Sequence, residues 1–299
     1  MKTYNVILFF PNQPPHPAYT HEKWKIRHDE FISYFPKNVQ FYLVKDDTKF
    51  LWDNTFEPNF VRHGNKWETY IWEKIYWDLI LWPNKNQSFT NIYHNPIKEI
   101  CRDKRKIEHI FPQYTLASYT CENYADIQKY WDKISSEVKV LKPIFWSQWT
   151  GIIISDALPE ENRVTETYPY ILQEFLDTNP GFYWHEWIHD FRTIILNGEI
   201  TGSLLRIAPD WIMTANVNTW ARIIDYWVWN IPPKVKQIID EIDSYFAPLY
   251  PERYYSIDIG VGANWAIKVF ELNSSPMLST SSIIEWLAQH IIKNILKIG

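Results

Sequence analysis

Hydrophobic and polar positions change their period several times along the chain. Apolar runs at Val6-Ile7-Leu8-Phe9-Phe10, Val39-Gln40-Phe41-Tyr42-Leu43-Val44 and Trp77-Asp78-Leu79-Ile80-Leu81-Trp82 read as strands. Thr20 to Phe35 reads as a helix, so the first hundred residues predict an α/β lobe. From Pro96 to Phe111 the period is helical and opens just after a proline. Hairpins dominate the second half. Arg192–Leu196 and Glu199–Arg206 flank Asn197-Gly198, a pair suited to a type I′ turn. Val235, Ile238, Ile239, Ile242 and Phe246 form a helical stripe that follows Pro232-Pro233 and stops before Pro248. Tyr254–Val261 and Trp265–Asn273 predict a second hairpin around Gly262-Ala263-Asn264. Ser279 to Ile298 closes the chain as an amphipathic helix with Ser and Thr at its start. There are no repeats and no low-complexity segment, and the expected architecture is α+β.

Composition narrows the possibilities. The 299 residues suffice for one large domain or two to three sub-domains. With 30 basic and 35 acidic side chains the net charge is −5, which argues against nucleic acid as the main partner. No apolar run approaches the roughly 18 residues that span a membrane, and the apolar stretch near Met1 is too short for a signal peptide. Cys101 and Cys121 cannot make a disulfide framework, so a reduced, cytoplasmic protein is expected. The 17 tryptophans are scattered, which favours half-buried packing over a stacking surface. Only 8 glycines are present, and this restricts where a phosphate loop rich in glycine could lie.

Two groups of residues carry candidate chemistry. His185-Glu186-Trp187-Ile188-His189 matches H-E-x-x-H, which on a helix holds zinc beside a general base. Its context is poor, because Asp190–Leu196 runs straight into the Asn-Gly hairpin and Pro209-Asp210-Trp211 offers no third ligand Glu. No bound zinc is expected. The second group ends the last hairpin. Period-2 alternation places Trp265, Ile267, Val269, Glu271 and Asn273 on one face, with Asp258 at the matching place on the partner strand. Carboxylate and amide oxygens ending an apolar strand face are costly to bury unless paired or bound to a cation. They are hard ligands suited to Mg²⁺.

From about Asn95 to Thr280 these residues resemble the ATP-grasp superfamily, in order. Asn95-Pro96 with Cys101-Arg102-Asp103-Lys104 resembles the entry to its ATP module. Val140-Leu141-Lys142-Pro143 looks like the strand of the second ATP lysine. Tyr170-Ile171-Leu172-Gln173-Glu174-Phe175-Leu176 is similar to the hinge that reads adenine, with Glu174 near the amino group. Asp190-Phe191-Arg192 with Asn197-Gly198 resembles the D-x-R-x-x-x-x-N-G hairpin. Leu205-Arg206-Ile207-Ala208-Pro209 resembles the strand whose Arg stabilises the transferring phosphoryl group. Asn216 lies where a phosphate-side Asn is found, and Asp258, Glu271 and Asn273 match the metal set.

The resemblance implies an ATP-grasp fold with an N-terminal lobe over 1–95, a small ATP-grasp subdomain over 96–175 and a large one over 176–299. It implies ATP and Mg²⁺ as cofactors, small-molecule or peptide carboxylate and amine substrates, and a ligase that forms an acyl-phosphate for attack by an amine. Arg206 and Arg192 become the catalytic candidates. Lys104, Lys142, Ser147, Glu174, Phe175, Leu176 and Asn216 become the nucleotide candidates. The chain departs from the family after Lys142-Pro143. Ile144-Phe145-Trp146-Ser147-Gln148-Trp149-Thr150-Gly151 has one glycine, at its end, and Ser147 and Thr150 are left as phosphate donors. The alternatives are a nucleotide- or partner-binding protein without turnover and, through His185, Glu186 and His189, a metalloprotease.

The metal reading also demands a register. A three-residue turn puts Asp258 opposite Lys268, on the wrong face. A two- or four-residue turn, or a bulge, puts Asp258 on the face of Glu271.

Overall fold

The computed structural model describes residues 2–9, 29–44, 97–145, 151–164, 168–179, 187–209, 213, 221–226, 228–251, 253–274 and 281–298, with short strands between 50 and 93. The chain forms two units, Met1–His94 with Met277–Gly299, and Asn95–Pro276.

In the first unit, β1 (Tyr4–Phe9) lies parallel to β2 (Val39–Val44), as their apolar runs predict. Between 50 and 76 the chain adds a small three-stranded sheet of β3 (Phe50–Leu51), β4 (Thr55–Phe56) and β7 (Ile75–Tyr76). Within that span it also makes the hairpin β5 (Phe60–His63) and β6 (Lys66–Thr69), which no periodicity signalled. With β8 (Leu79–Leu81) and β9 (Ile92–Tyr93) the main sheet runs β6-β5-β2-β1-β8-β9. Of the helix expected from Thr20, residues 29–33 are helical, and 20–28 lie outside the described residues.

The core of this unit joins Val6, Leu8, Phe31, Phe41 and Leu43 to Ile284, Leu287, Ala288 and Ile291. The closing helix, Ser281–His290, therefore packs with the first unit, whereas the resemblance grouped it with the large ATP-grasp subdomain. Its apolar stripe is filled by the strand residues of β1 and β2, which carry the complementary face.

In the second unit, the helical stretch from Pro96 breaks into α1 (Lys98–Arg102) and α2 (Lys104–Ile110). The break is Asp103, extended at φ −105° and ψ 104°, whose carboxylate caps α2 by accepting from the Arg105 N–H. A four-stranded sheet follows, built from β10 (Ser118–Cys121), β11 (Lys139–Pro143), β12 (Ile153–Ser155) and β13 (Tyr170–Glu174) in the order β10-β13-β11-β12. Leu141, Tyr170 and Leu172 pack on α3 (Tyr124–Trp131) through Ile127 and Trp131. Alternation then sends Lys142 and Gln173 to the other face.

The second sheet is antiparallel throughout, with β14 (His189–Leu196), β15 (Glu199–Ile207), β16 (Arg222–Tyr226), β17 (Tyr254–Val261) and β18 (Ile267–Asn273) in the order β16-β15-β14-β17-β18. Asn197 and Gly198 both take positive φ, 46° and 96°, as a type I′ turn requires. Odd-numbered Phe191, Ile195, Leu205, Ile207, Tyr255, Ile257 and Ile259 face one core with Val235, Ile239, Ile242 and Phe246 of α4 (Pro233–Phe246). Fully burying each such side chain is worth about 1.5–3 kcal/mol. The even-numbered residues are left to line the opposite face.

Candidate active site

That opposite face is polar where alternation delivers it. Asp190 and Arg206 pair directly across β14–β15, and Arg192 and Asp258 pair across β14–β17. Arg206 donates from Nε and Nη2 to the two Asp190 oxygens, both at 2.5 Å, and from Nη2 to Asp258 Oδ2 at 2.9 Å. Arg192 donates from Nε and Nη2 to the two Asp258 oxygens, both at 2.6 Å. Burial and the facing Asp258 charge push the Asp190 carboxyl up to about 6, with Arg206 pulling it back. Burial acts the same way on Asp258, but the Arg192 and Arg206 guanidiniums outweigh it and hold this carboxyl well below the usual range. Burial opposes the Arg206 charge, and the two carboxylates more than restore it.

The register of β17–β18 decides whether Glu271 joins this face. The turn spans five residues, Gly262 to Ala266, closed by the Gly262 N–H on the Ala266 carbonyl at 2.8 Å. The metal reading requires an even turn or a bulge with the same effect, and an odd turn alone would send Glu271 to the core. A bulge at Phe270 corrects it: Ile259 pairs with Val269, and Asp258 then pairs with Glu271. The single face drawn through Ile267, Val269, Glu271 and Asn273 is thus split. Ile267, Val269 and Leu272 pack on the core, while the Asn273 amide donates to Glu271 Oε1 at 3.0 Å and Asp258 Oδ2 at 3.2 Å. Gly260 makes room for the bulge, since a Cβ there would sit 2.2 Å from Phe270 Cζ.

Both lysines reach the same region. Lys142 Nζ donates to Gln173 Oε1 at 2.9 Å and to the Phe270 carbonyl at 3.5 Å, and lies 3.6 Å from Glu108 Oε1. Lys104, first residue of α2, donates to the carbonyls of Pro143 at 3.1 Å and Ile144 at 3.4 Å. Burial lowers its pKa, Glu271 opposes that, and nearby Lys142 adds to the drop. The four cationic side chains Arg192, Arg206, Lys104 and Lys142 and the oxygen-bearing Asp190, Asp258, Glu271 and Asn273 therefore belong to one unit.

The donor set suits a hard cation. Asp258 and Glu271 are directly opposed, and the Asn273 amide sits between them.

In the hinge strand the Glu174 carboxylate accepts from Ser135 Oγ at 2.7 Å. Leu176 leans on Gly260 and Gly262, where an added Cβ would lie 2.9 and 2.8 Å from its methyl carbons. Phe175, with Val138, Asp177, Ile188 and Met213, lines a cleft of about 400 Å³. Ser147 and Asn216 lie outside the described residues, as do His185 and Glu186. His189 is the first residue of β14, 1% exposed, with Nδ1 2.8 Å from the Trp187 carbonyl. A strand residue there cannot present the helical i, i+4 histidine pair of a zincin.

Sequence reasoning missed Glu108, Gln173 and Ser118. Ser118 Oγ donates to Glu108 Oε2 at 2.6 Å and Gln173 Nε2 donates to Glu108 Oε1 at 3.0 Å, so this trio braces Lys142. Gln173, a polar residue within a buried strand, was the available signal. Glu108 reads as an ordinary solvated helix residue.

No protein-family model and no curated protein matches the sequence. Solved structures do match its fold. D-alanyl-alanine synthetase A from Vibrio cholerae aligns over 99% of this chain and 98% of its own, at TM-score 0.61 and 11% identity. The D-alanine–D-alanine ligase of Bacillus anthracis complexed with ATP aligns over 100% and 98%, at 0.60 and 13%. The ATP-grasp ligase PsnB, complexed with minimal precursor, Mg and ADP, aligns over 97% and 98%, at 0.55 and 14%. This chain has the ATP-grasp fold. The polar face just described lies in the five-stranded sheet of the second unit. Among the described residues no helix is long and apolar enough to cross a membrane.

Proposed function

We propose that this protein is an ATP- and Mg²⁺-dependent ligase that activates a carboxylate as an acyl-phosphate for attack by an amine. The observation that carries the proposal is the pairing of Asp258 with Glu271 on the face that holds Arg192 and Arg206, with Lys142 against the Phe270 carbonyl beside them. Asp258, Glu271 and Asn273 would hold Mg²⁺, which when bound neutralises phosphate charge. Lys104 and Lys142 bind phosphate oxygens, and Phe175 and Leu176 frame the nucleotide base. Arg206 stays fixed on Asp190 and meets charge that develops on the transferring phosphoryl group. Such chemistry asks the protein mainly for placed cations, which is what this face supplies. The solved ligases with this fold, named above as bound to ATP or to Mg and ADP, support the same cofactors here.

A non-catalytic nucleotide binder is the second reading, favoured by the single glycine in 144–151. One experiment separates the two. ATP with Mg²⁺ should raise the melting temperature, by the equivalent of about 2.7 kcal/mol at a hundred times Kd. ADP release in a mixture of candidate carboxylates and amines should then require Glu271. Glu271→Gln is the cleaner probe than any change at Asp258, which also anchors two arginines. Nucleotide binding without Glu271-dependent ADP release supports the binder, and no nucleotide binding defeats both.

A further inference from the structure

Asp258 Oδ2 has no unused acceptor position. A carboxylate oxygen offers about two lone-pair sites, and Oδ2 takes three donors, Arg192 Nη2, Arg206 Nη2 and Asn273 Nδ2, at 2.6, 2.9 and 3.2 Å, whereas Oδ1 takes Arg192 Nε at 2.6 Å. Mg²⁺ binds oxygens at about 2.0–2.1 Å in a strict octahedron. A cation shared with Glu271 would come to Oδ2, which Asn273 Nδ2 links to Glu271 Oε1. Even with the Asn273 amide turned away, the two guanidiniums fill that oxygen, so one of them has to withdraw.

The structure distinguishes which. Arg206 is tied a second time, to both oxygens of Asp190, and its side chain is 3% exposed. Among the described residues Arg192 has Asp258 alone as its side-chain partner, and its side chain is 13% exposed against 2% for Asp258. Of the two arginines, Arg192 is therefore the singly anchored and less buried one. Its departure leaves Asp258 still held by Arg206 and Asn273.

We propose, resting on the metal reading above, that Arg192 and the divalent cation compete for Asp258, and that Arg192 yields when an anionic phosphate chain gives its guanidinium another partner. Arg192 is then a positioning residue that couples cation binding to nucleotide binding. The cation alone is disfavoured by the guanidinium, and cation plus phosphates are favoured because both charged groups find partners. The coupling is reciprocal, as linkage requires.

The test is Mn²⁺ binding without nucleotide, read by calorimetry and by electron paramagnetic resonance of free Mn²⁺. Arg192→Met should tighten Mn²⁺ binding about ten- to a hundredfold, the worth of a charge-assisted hydrogen bond. Removing any nearby positive charge would also help a cation, so Arg192→Lys decides the matter. Lysine keeps the charge but cannot bridge both oxygens. Severalfold tightening in Arg192→Lys supports displacement, and it stands even where Arg192→Met fails to fold. Affinity in Arg192→Lys equal to the wild type overturns the proposal while leaving the metal site intact. If Mn²⁺ binds none of these proteins even with ADP present, the metal site itself falls, and this proposal with it.

Discussion

Replacing Gly260 by alanine tests whether the bulge at Phe270 is held by packing. The new Cβ would lie 2.2 Å from Phe270 Cζ, 2.8 Å from Cε2 and 2.9 Å from a Leu176 methyl. Ordinary contacts begin at 3.4 Å, so the ring must retreat by more than 1 Å, and Leu176 closes the near escape. Overpacking of this kind costs about 1–3 kcal/mol. At roughly 2–4 °C per kcal/mol for a unit of this size, Gly260→Ala should lower the melting temperature clearly. Mn²⁺ affinity should fall with it, because the displaced ring drags the residue that sets Glu271 opposite Asp258. Differential scanning fluorimetry and a double-mutant cycle with Phe270→Ala provide the measurement. With the ring removed, the alanine at 260 should cost far less. A melting temperature unchanged by Gly260→Ala, or a loss of the same size in both backgrounds, would refute the reasoning.

Other outcomes follow from the same face. Lys142→Ala should weaken ADP binding ten- to a hundredfold by calorimetry, at about 1.5–3 kcal/mol per charge-assisted contact. Lys98→Ala, on the exposed side of α1, should change it little. Burial lowers the Lys104 pKa from 10.5, so its ammonium is lost earlier than an ordinary lysine's. Nucleotide affinity should fall as pH rises through that lowered value. Lys104→Arg should flatten the fall, and a wild-type profile flat up to 10.5 would count against Lys104 as a phosphate ligand. His185→Ala should leave nucleotide binding nearly intact, and metal analysis of purified protein should find no stoichiometric zinc.

The strands of the polar face were legible because period-2 alternation and an Asn-Gly turn set their ends and faces. Asp190, Arg192, Arg206 and Asp258 all fall on even positions of buried strands, so their convergence followed from the pattern. The position of Glu271 did not. It depends on one extra residue in β18, and a bulge carries no residue signature beyond a glycine that leaves room for an aromatic ring. Helix periodicity likewise ran straight through Asp103, because a capping side chain and a solvated one look alike until the backbone turns. Glu108 was invisible for a related reason: it lies on α2, and its partners, Ser118 and Gln173, come from two strands distant in sequence.

The closing helix has a consequence for how the chain is made. Its Ile284, Leu287 and Ile291 complete a core whose other half, Val6, Leu8 and Phe41, is synthesised first. All of Asn95–Pro276 comes between them. At about 5–20 residues per second, the early strands wait many seconds with an apolar face uncovered, while the second unit has its whole sequence in hand before the wait ends. Maturation of the first unit therefore waits until the second unit has been synthesised. It is also the step most open to chaperones, and to aggregation when the last turns are cut away.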